Sequence, residues 1–319
     1  MSEADQDHGR RRWREVDGIV LLDKPAGMRS NQALQRARRV LSAAKGGHAG
    51  TLDPMATGML PLCFGQATKA CGQLLGSTKS YRARVLLGSA TDTGDADGTV
   101  VVDSAVPVLT ADGIERVLAG FTGTSEQVPP MYSALKRNGR PLYELARRGE
   151  HVEREARQVR LDRLELLSFG PRDLTVEVVC SKGTYVRVLG EDIARALGTC
   201  GHLGELRRLW VEPFEGESMV TLEQIEHWNE AGEAPAPWLL PVDRAFTGLP
   251  RVDLDGMQSL HLCQGRVLEA PAGLAPGARA RAYGADRRFL GLVMVEAAGQ
   301  LKVERLFVPG AGGSQSSET

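Results

Sequence analysis

The chain has 319 residues, of which 42% are apolar, 25% charged and 5% aromatic, and its net charge is −1. At roughly 150 residues per domain, this predicts about two globular domains whose cores rest on Leu, Val, Ile and Ala. Apolar runs such as residues 18–22 fall far short of the 18 or so residues of a membrane span, and the acidic-then-basic start is not a secretory signal.

In chain order, residues 17–23 (Asp-Gly-Ile-Val-Leu-Leu-Asp) read as a short buried strand ending at Lys24-Pro25. Ser30 suits a helix N-cap, and Ala33, Leu34, Ala37, Val40 and Leu41 then form one apolar stripe. Residues 45–58 are a glycine-rich loop. Strand is expected at 60–64 and helix at 67–75. Residues 80–88 alternate as a strand, 92–98 are turn chemistry, and 99–102 are strand. Thr110 opens a helix to Ala119, and 122–140 read as irregular. Pro141 starts a helix to Gly149. Strands are expected at 158–169 and 174–180, a helix at 186–197, a strand at 203–211 and an acidic helix from Thr221. Three prolines mark 234–241 as a linker. Residues 250–309 read as a small β-rich domain, and the Gly/Ser tail from 310 as disordered. The fold class is α+β.

Charge is unevenly spread. Residues 10–47 carry ten Lys/Arg against three Asp/Glu, and residues 136–163 carry nine against five. Residues 212–233 carry seven glutamates and no Lys or Arg. This suggests one face that meets a polyanion, although solvated helix faces give the same counts. The five cysteines (Cys63, Cys71, Cys180, Cys200, Cys263) contain no C-x-x-C pair, which points to a reducing cytoplasm and away from zinc or a disulfide framework.

The densest chemistry lies at 46–61, Gly-Gly-His-Ala-Gly-Thr-Leu-Asp-Pro-Met-Ala-Thr-Gly-Met-Leu-Pro. Pro54 biases Asp53 toward an extended backbone, so the carboxylate projects from a constrained loop. Asp before Pro is also an ordinary turn residue. His48 has no second histidine at metal-ligand spacing, so no metal is expected. There is no G-x-S-x-G, Walker loop or G-x-G-x-x-G, so no nucleotide cofactor is expected either. An EF-hand register over 93–104 fails because Ser104 stands where a bidentate Glu is needed. Lys182, Tyr185 and Arg187 gather where a strand meets a helix, and Tyr81 sits beside Lys79 and Arg82. Aromatic rings beside bases suit nucleic-acid stacking, or plain half-buried strand positions.

These segments occur together in a specific order: Leu22-Asp23-Lys24-Pro25, the run 47–58, Lys79-Ser80-Tyr81, the run 91–98, residues 130–136 and residues 181–187. In that order and spacing the chain resembles bacterial TruB-type tRNA pseudouridine synthases, well over about 15–245 and loosely beyond. The resemblance implies a mixed or antiparallel sheet core of the pseudouridine synthase type over 15–245, after a basic disordered arm at 1–14. A small β-rich, PUA-like domain would span 250–309, and a disordered tail 310–319.

It also implies isomerisation of uridine 55 in the tRNA T-loop, with tRNA as partner, no cofactor, no obligate protein partner and a monomeric cytoplasmic enzyme. Asp53 matches the catalytic aspartate. Attack at C1′, addition at C6 and removal of the 2′ proton are all open to it. Tyr81 matches the tyrosine that stacks on the flipped base near C5, and Arg187 an arginine that pairs with the aspartate. Asp95 is expected to steady Arg187. Tyr185 matches a second pocket aromatic, His48 a T-loop contact, Leu206 a substrate-contacting leucine, and Lys24 the floor of the site. The alternatives are a synthase acting on another RNA and a non-catalytic tRNA-folding protein.

Overall fold

The computed structural model describes residues 13–307 except 134, 138, 147, 151 and 232–236. In chain order the elements are β1 (Gly18–Lys24), α1 (Ser30–Val40), β2 (Gly46–His48), β3 (Thr57–Phe64) and a 3-10 helix (Gly65–Ala70) that runs into α2 (Cys71–Leu75). β4 (Lys79–Leu87), β5 (Ser89–Thr91), β6 (Val100–Asp103), α3 (Ala111–Ala119) and β7 (Gly123–Gln127) come next. A hairpin of β8 (Lys136–Arg137) and β9 (Arg140–Pro141) leads into α4 (Leu142–Ala146). Then come β10 (Arg157–Phe169), β11 (Asp173–Cys180), α5 (Val186–Ala196), β12 (Gly201–Val211), α6 (Leu222–Ala231) and β13 (Leu239–Leu240). The last unit holds β14 (Arg251–Asp253), α7 (Gly256–Cys263), β15 (Leu268–Glu269), β16 (Arg279–Tyr283), β17 (Phe289–Val295) and β18 (Gln300–Leu306).

One nine-stranded sheet organises the described residues up to 246, in the order β13-β1-β3-β12-β4-β11-β10-β7, with β2 also paired to β3. Every neighbouring pair is antiparallel except β3 with β12, which meet at Thr57 and Gly58 opposite Arg207 and Arg208. The sheet is covered on both sides, and this explains the unbroken apolar runs of β1 and β3. Val20, Leu22, Leu60, Leu62 and Phe64 enter one core, beneath α1 and α5. Ile19, Leu21, Met59 and Cys63 point the other way into a second core. That second core also takes Phe246 from the main unit and Leu292 and Phe307 from the last, with Phe246 and Phe307 rings 5.4 Å apart. A third core lies within the last unit, under a five-stranded sheet ordered β14-β16-β17-β18-β15.

The α1 stripe is buried through Ala33, Leu34 and Ala37, while Arg36 crosses to Glu226 of α6 at 2.7 Å. The acidic helix thus neutralises part of the basic one. Several sequence expectations are corrected. Ser30 is the first helical residue, not the cap, because its hydroxyl bonds the Leu52 backbone in both directions, at 3.1 and 2.8 Å. Residues 123–127, read as irregular, form β7, a polar edge strand paired with β10. The expected linker includes β13, which pairs with Ile19 and Val20. The expected helix at 67–75 begins as a 3-10 turn at Gly65, and α4 spans only 142–146. The β-rich unit also contains α7, capped by Asp255. Of the expected arm, Trp13 and Arg14 lie against the end of α1, with Arg38 over the Trp13 ring and Arg14 bonded to Ser42 and Ala44. Residues 1–12 and the tail 310–319 lie outside the described residues.

Gly58 stands where β3 meets β12. Its φ is +96°, and a Cβ there would lie 2.1 Å from the Arg208 carbonyl oxygen. Gly58→Ala is expected to cost about 3 kcal/mol or more through clash and strain together. Gly27 also has positive φ, +76°, but open space around it, so Gly27→Ala is expected to cost only about 1 kcal/mol. Denaturant melts of both variants check the difference; equal costs would mean that the close approach is not what requires Gly58.

Candidate active site

The loop that carries Asp53 is fixed from behind. β2 lies along the far end of β3, with His48 opposite Leu62, and the chain then doubles back to reenter β3 at Thr57. Ala49, Leu52 and Ala56 are buried and anchor the turn. The Pro54 carbonyl accepts from Lys24 Nζ at 3.3 Å and from the Gly27 N–H at 2.8 Å. Lys24 is fully buried and also donates to the Pro25 and Met28 carbonyls. Burial lowers its pKa to about 8, partly offset by Asp53. Lys24 is therefore a brace behind the loop, not a wall of the site.

Arg187, on the first turn of α5, is 4% exposed. Its Nε lies 3.0 Å from Asp53 Oδ2 and its Nη2 3.4 Å from Oδ1, a fork-to-carboxylate pair. Nη2 also donates to the Tyr132 carbonyl at 2.6 Å and Nη1 to the Thr93 carbonyl at 2.8 Å. Asp95 Oδ2 stands 3.6 Å from Nη1. Asp95 is itself buried and accepts from the Thr93 hydroxyl and the Asp97 N–H. Burial raises the Asp53 pKa above the ordinary carboxylate value; Arg187 pulls it down, and Asp95 adds a push upward. The His48 pKa is lowered, by burial and then by Arg208, and its Nδ1 is buried without a partner.

Two cavities flank Asp53. One of about 300 Å³ is walled by Asp53, Tyr81, Tyr185, Arg187, Leu206 and Arg208, among others. The other, about 400 Å³, shares Asp53 and Arg187 and is reached by His48, Asn31, Asp95 and Tyr143. Tyr81 stands on β4 opposite Val178 and Arg208, 8% exposed, with burial raising its pKa. Tyr185 is the N-cap residue of α5, and its main chain is gripped twice by the Gln127 amide, at 2.7 and 3.1 Å.

The structure thus brings Asp53, Tyr81, Tyr185, Arg187 and Leu206 to one small hollow, places His48 and Asp95 at the adjoining one, and keeps Lys24 out of both. Sequence reasoning missed Gln127, which holds Tyr185, and Arg208. The second was legible: Leu206 and Arg208 are two apart on a strand and so share a face. Among the described residues, no three His, Cys, Asp or Glu side chains stand together as a metal site, and no helix is long and apolar enough to cross a membrane.

Three family models match in succession. They are described as the N-terminal domain of TruB family pseudouridylate synthase (residues 38–186), the C-terminal domain of tRNA pseudouridylate synthase B (187–247) and the C-terminal part of pseudouridine synthase II TruB (250–307). A tRNA pseudouridine synthase B of Aromatoleum aromaticum is 52% identical over 96% of this chain and 98% of its own. The chain belongs to the TruB family of pseudouridine synthases.

A relative of the same description from Chromohalobacter salexigens is 51% identical over 93% of this chain and 96% of its own. Among solved structures, the TruB fold seen here matches a crystal structure of a Cbf5-Nop10-Gar1 complex with TM-score 0.70 and 26% identity, over 92% of this chain and 85% of that one. An H/ACA RNP bound to a substrate RNA containing 2′-deoxyuridine matches with TM-score 0.68 and 25% identity, over the same shares.

The raised pKa of Asp53 has a definite sign for stability. Its ionised form is disfavoured in the fold, so this group's contribution is lost as pH rises from the unfolded to the folded pKa. Asp53→Asn is therefore expected to melt no lower than the parent at pH 7. Arg187→Met takes the cation from Asp53 and Asp95 and the donor from the Thr93 and Tyr132 carbonyls, and is expected to cost about 3–5 kcal/mol. Calorimetry of the two variants checks this; a large loss for Asp53→Asn would mean that the carboxylate is chiefly a structural counter-ion.

Proposed function

We propose that the chain isomerises uridine 55 of the tRNA T-loop to pseudouridine, with Asp53 as the reacting carboxylate and no cofactor. The observation that carries this reading is the placement of one forked, partly buried carboxylate on the wall of a small cavity lined by two tyrosines. The curated relatives above bear the name tRNA pseudouridine synthase B, which supports tRNA as the substrate. The isomerisation is redox-neutral and transfers nothing from outside, so the side chains suffice.

The target uridine is inside the T-loop and must be extruded to reach Asp53. Extrusion costs a few kcal/mol of unstacking, which the pocket must return. Tyr81 stacks on the flipped base, Leu206 and Tyr185 close the pocket around it, and His48 meets the loop at the adjoining hollow. Asp53 then acts on the ribose or the base as an ionised oxygen. Arg187 keeps it ionised and aimed, against the burial that would protonate it. After rotation of the base, C5 bonds C1′ and must lose its proton, which the Tyr81 oxygen takes once it has given up its own. Residues 250–307 hold the remainder of the tRNA, and Arg and Lys side chains of the first unit neutralise phosphates.

Asp53→Asn is expected to abolish isomerisation while changing tRNA affinity less than about threefold, because phosphate contacts dominate binding. Chemical mapping of pseudouridine in tRNA incubated with each protein reads the first, and filter binding the second. Residual turnover by Asp53→Asn would refute the role of the carboxylate; modification at another position only, or of another RNA only, would refute the substrate. For the parent enzyme, kcat/KM is expected to fall as pH is lowered and Asp53 protonates, with a midpoint above that of an ordinary aspartate, since burial raises its pKa. An acid limb at or below that of an ordinary aspartate would contradict the burial described.

A further inference from the structure

Arg208 is a buried charge that the reaction above does not use. It is 1% exposed, its Nε donates to the Met59 carbonyl at 2.6 Å and its Nη2 to the Gly50 carbonyl at 3.0 Å. Among the described residues it has no ion-pair partner, whereas its neighbour Arg207 pairs with Asp23 at 2.7 Å. Its charge instead presses on other cations and bases, helping to lower the pKa of Lys24, Lys79 and His48. A guanidinium left this way costs stability unless an anion forms beside it. The cavity offers one place for that anion. Arg208 lines the same hollow as Tyr81, and its Cζ lies 6.0 Å from the Tyr81 ring centroid.

The neighbours of Tyr81 sharpen the point. Arg208 faces it from β12, Cys180 from β11 and Asp53 from the loop. Cys180 and Asp53 both oppose ionisation of the phenol, as does burial; Arg208 alone favours it. A phenol that keeps its proton cannot accept another.

We propose that Arg208 is a positioning residue for the isomerisation, the counter-charge of the phenolate that Tyr81 becomes in order to take the proton from C5. This rests on the reading of Tyr81 given above. The phenol first gives its proton to water. Once C5 has bonded C1′, the C5–H bond breaks and its proton passes to Tyr81 Oη. The electron pair forms C5=C6, the C6=N1 pair moves onto N1, and N1 takes a proton from water, so charge and atoms balance.

The test uses full-length protein and a tRNA transcript carrying [5-³H]uridine. Tritium release is followed in single turnovers from pH 7 to 10, alongside tRNA affinity and melting temperature, for Arg208→Met, Arg208→Lys and Tyr81→Phe. Arg208→Met is expected to slow release at pH 7 by about 10²-fold or more, with affinity within about threefold of the parent. Its rate should climb with pH past the point where the parent levels off, as hydroxide does what the guanidinium no longer does. Arg208→Lys should restore at least about tenfold of the loss. Parallel pH profiles for Arg208→Met and the parent, or equal damage by Lys and Met, would overturn the proposal. Should Arg208→Met not fold, Arg208→Gln, which can still donate to the Met59 carbonyl, takes its place under the same criteria. A Tyr81→Phe enzyme that releases tritium at the parent rate would instead overturn the role of Tyr81 itself.

Discussion

A guanidinium taken out of water must find an acceptor for each of its N–H groups, and Arg187 meets that demand from three distant parts of the chain. Its partners lie 134, 94 and 55 residues away in sequence, in the Asp53 loop, at Thr93 and at Tyr132. None of the three segments belongs to a long element, and none would hold its shape through local propensity. The arginine makes them interdependent, because displacing one leaves a buried donor unsatisfied. The aim of the Asp53 carboxylate is thus set by the closure of the whole constellation, not by the loop alone.

The site also carries more positive charge than a net charge of −1 suggests. Lys24, Lys79 and Arg208 are all buried within or behind the Asp53 loop and the cavity, and each donates to main-chain carbonyls. Carbonyls fix geometry but do not cancel charge. The acidic surplus of residues 212–233 is partly consumed elsewhere, as Glu226 and Glu223 take Arg36. The field near the cavity is therefore more positive than the sequence total suggests, and a low-dielectric surround extends its reach.

Most of the regular fold was legible because strands and helices here declare their period. The apolar runs at 18–22 and 60–64, the alternation at 80–88 and the stripe of α1 all became what they predicted. Failures fell where a partner rather than a pattern decides. β7 is polar and exists because β10 offers an open edge. β13 is two residues long and survives by pairing with β1 across the proline-rich stretch. Ser30 looked like a cap because its hydroxyl needs a local acceptor, yet the acceptor was 22 residues away. The catalytic roles of Asp53, Tyr81 and Arg187 came from family resemblance; residue patterning alone left Asp53 open between a functional carboxylate and an ordinary turn residue, and marked Tyr81 and Arg187 only as an aromatic and a base suited to nucleic acid or to plain strand positions. Gln127 escaped both routes, since an amide that grips another residue's backbone leaves no trace in spacing.

The excursion between β7 and β10 starts and ends on one rung of the sheet, where Gln127 pairs with Arg157. It contributes the Tyr132 carbonyl to Arg187 yet adds nothing to the ladder that anchors it. Such a segment is tethered twice, at its base by that rung and at Tyr132 by the Arg187 guanidinium. Doubling its length would add only about 0.6 kcal/mol of closure entropy, but any change that moves Tyr132 would pull on Arg187 and so on the Asp53 carboxylate.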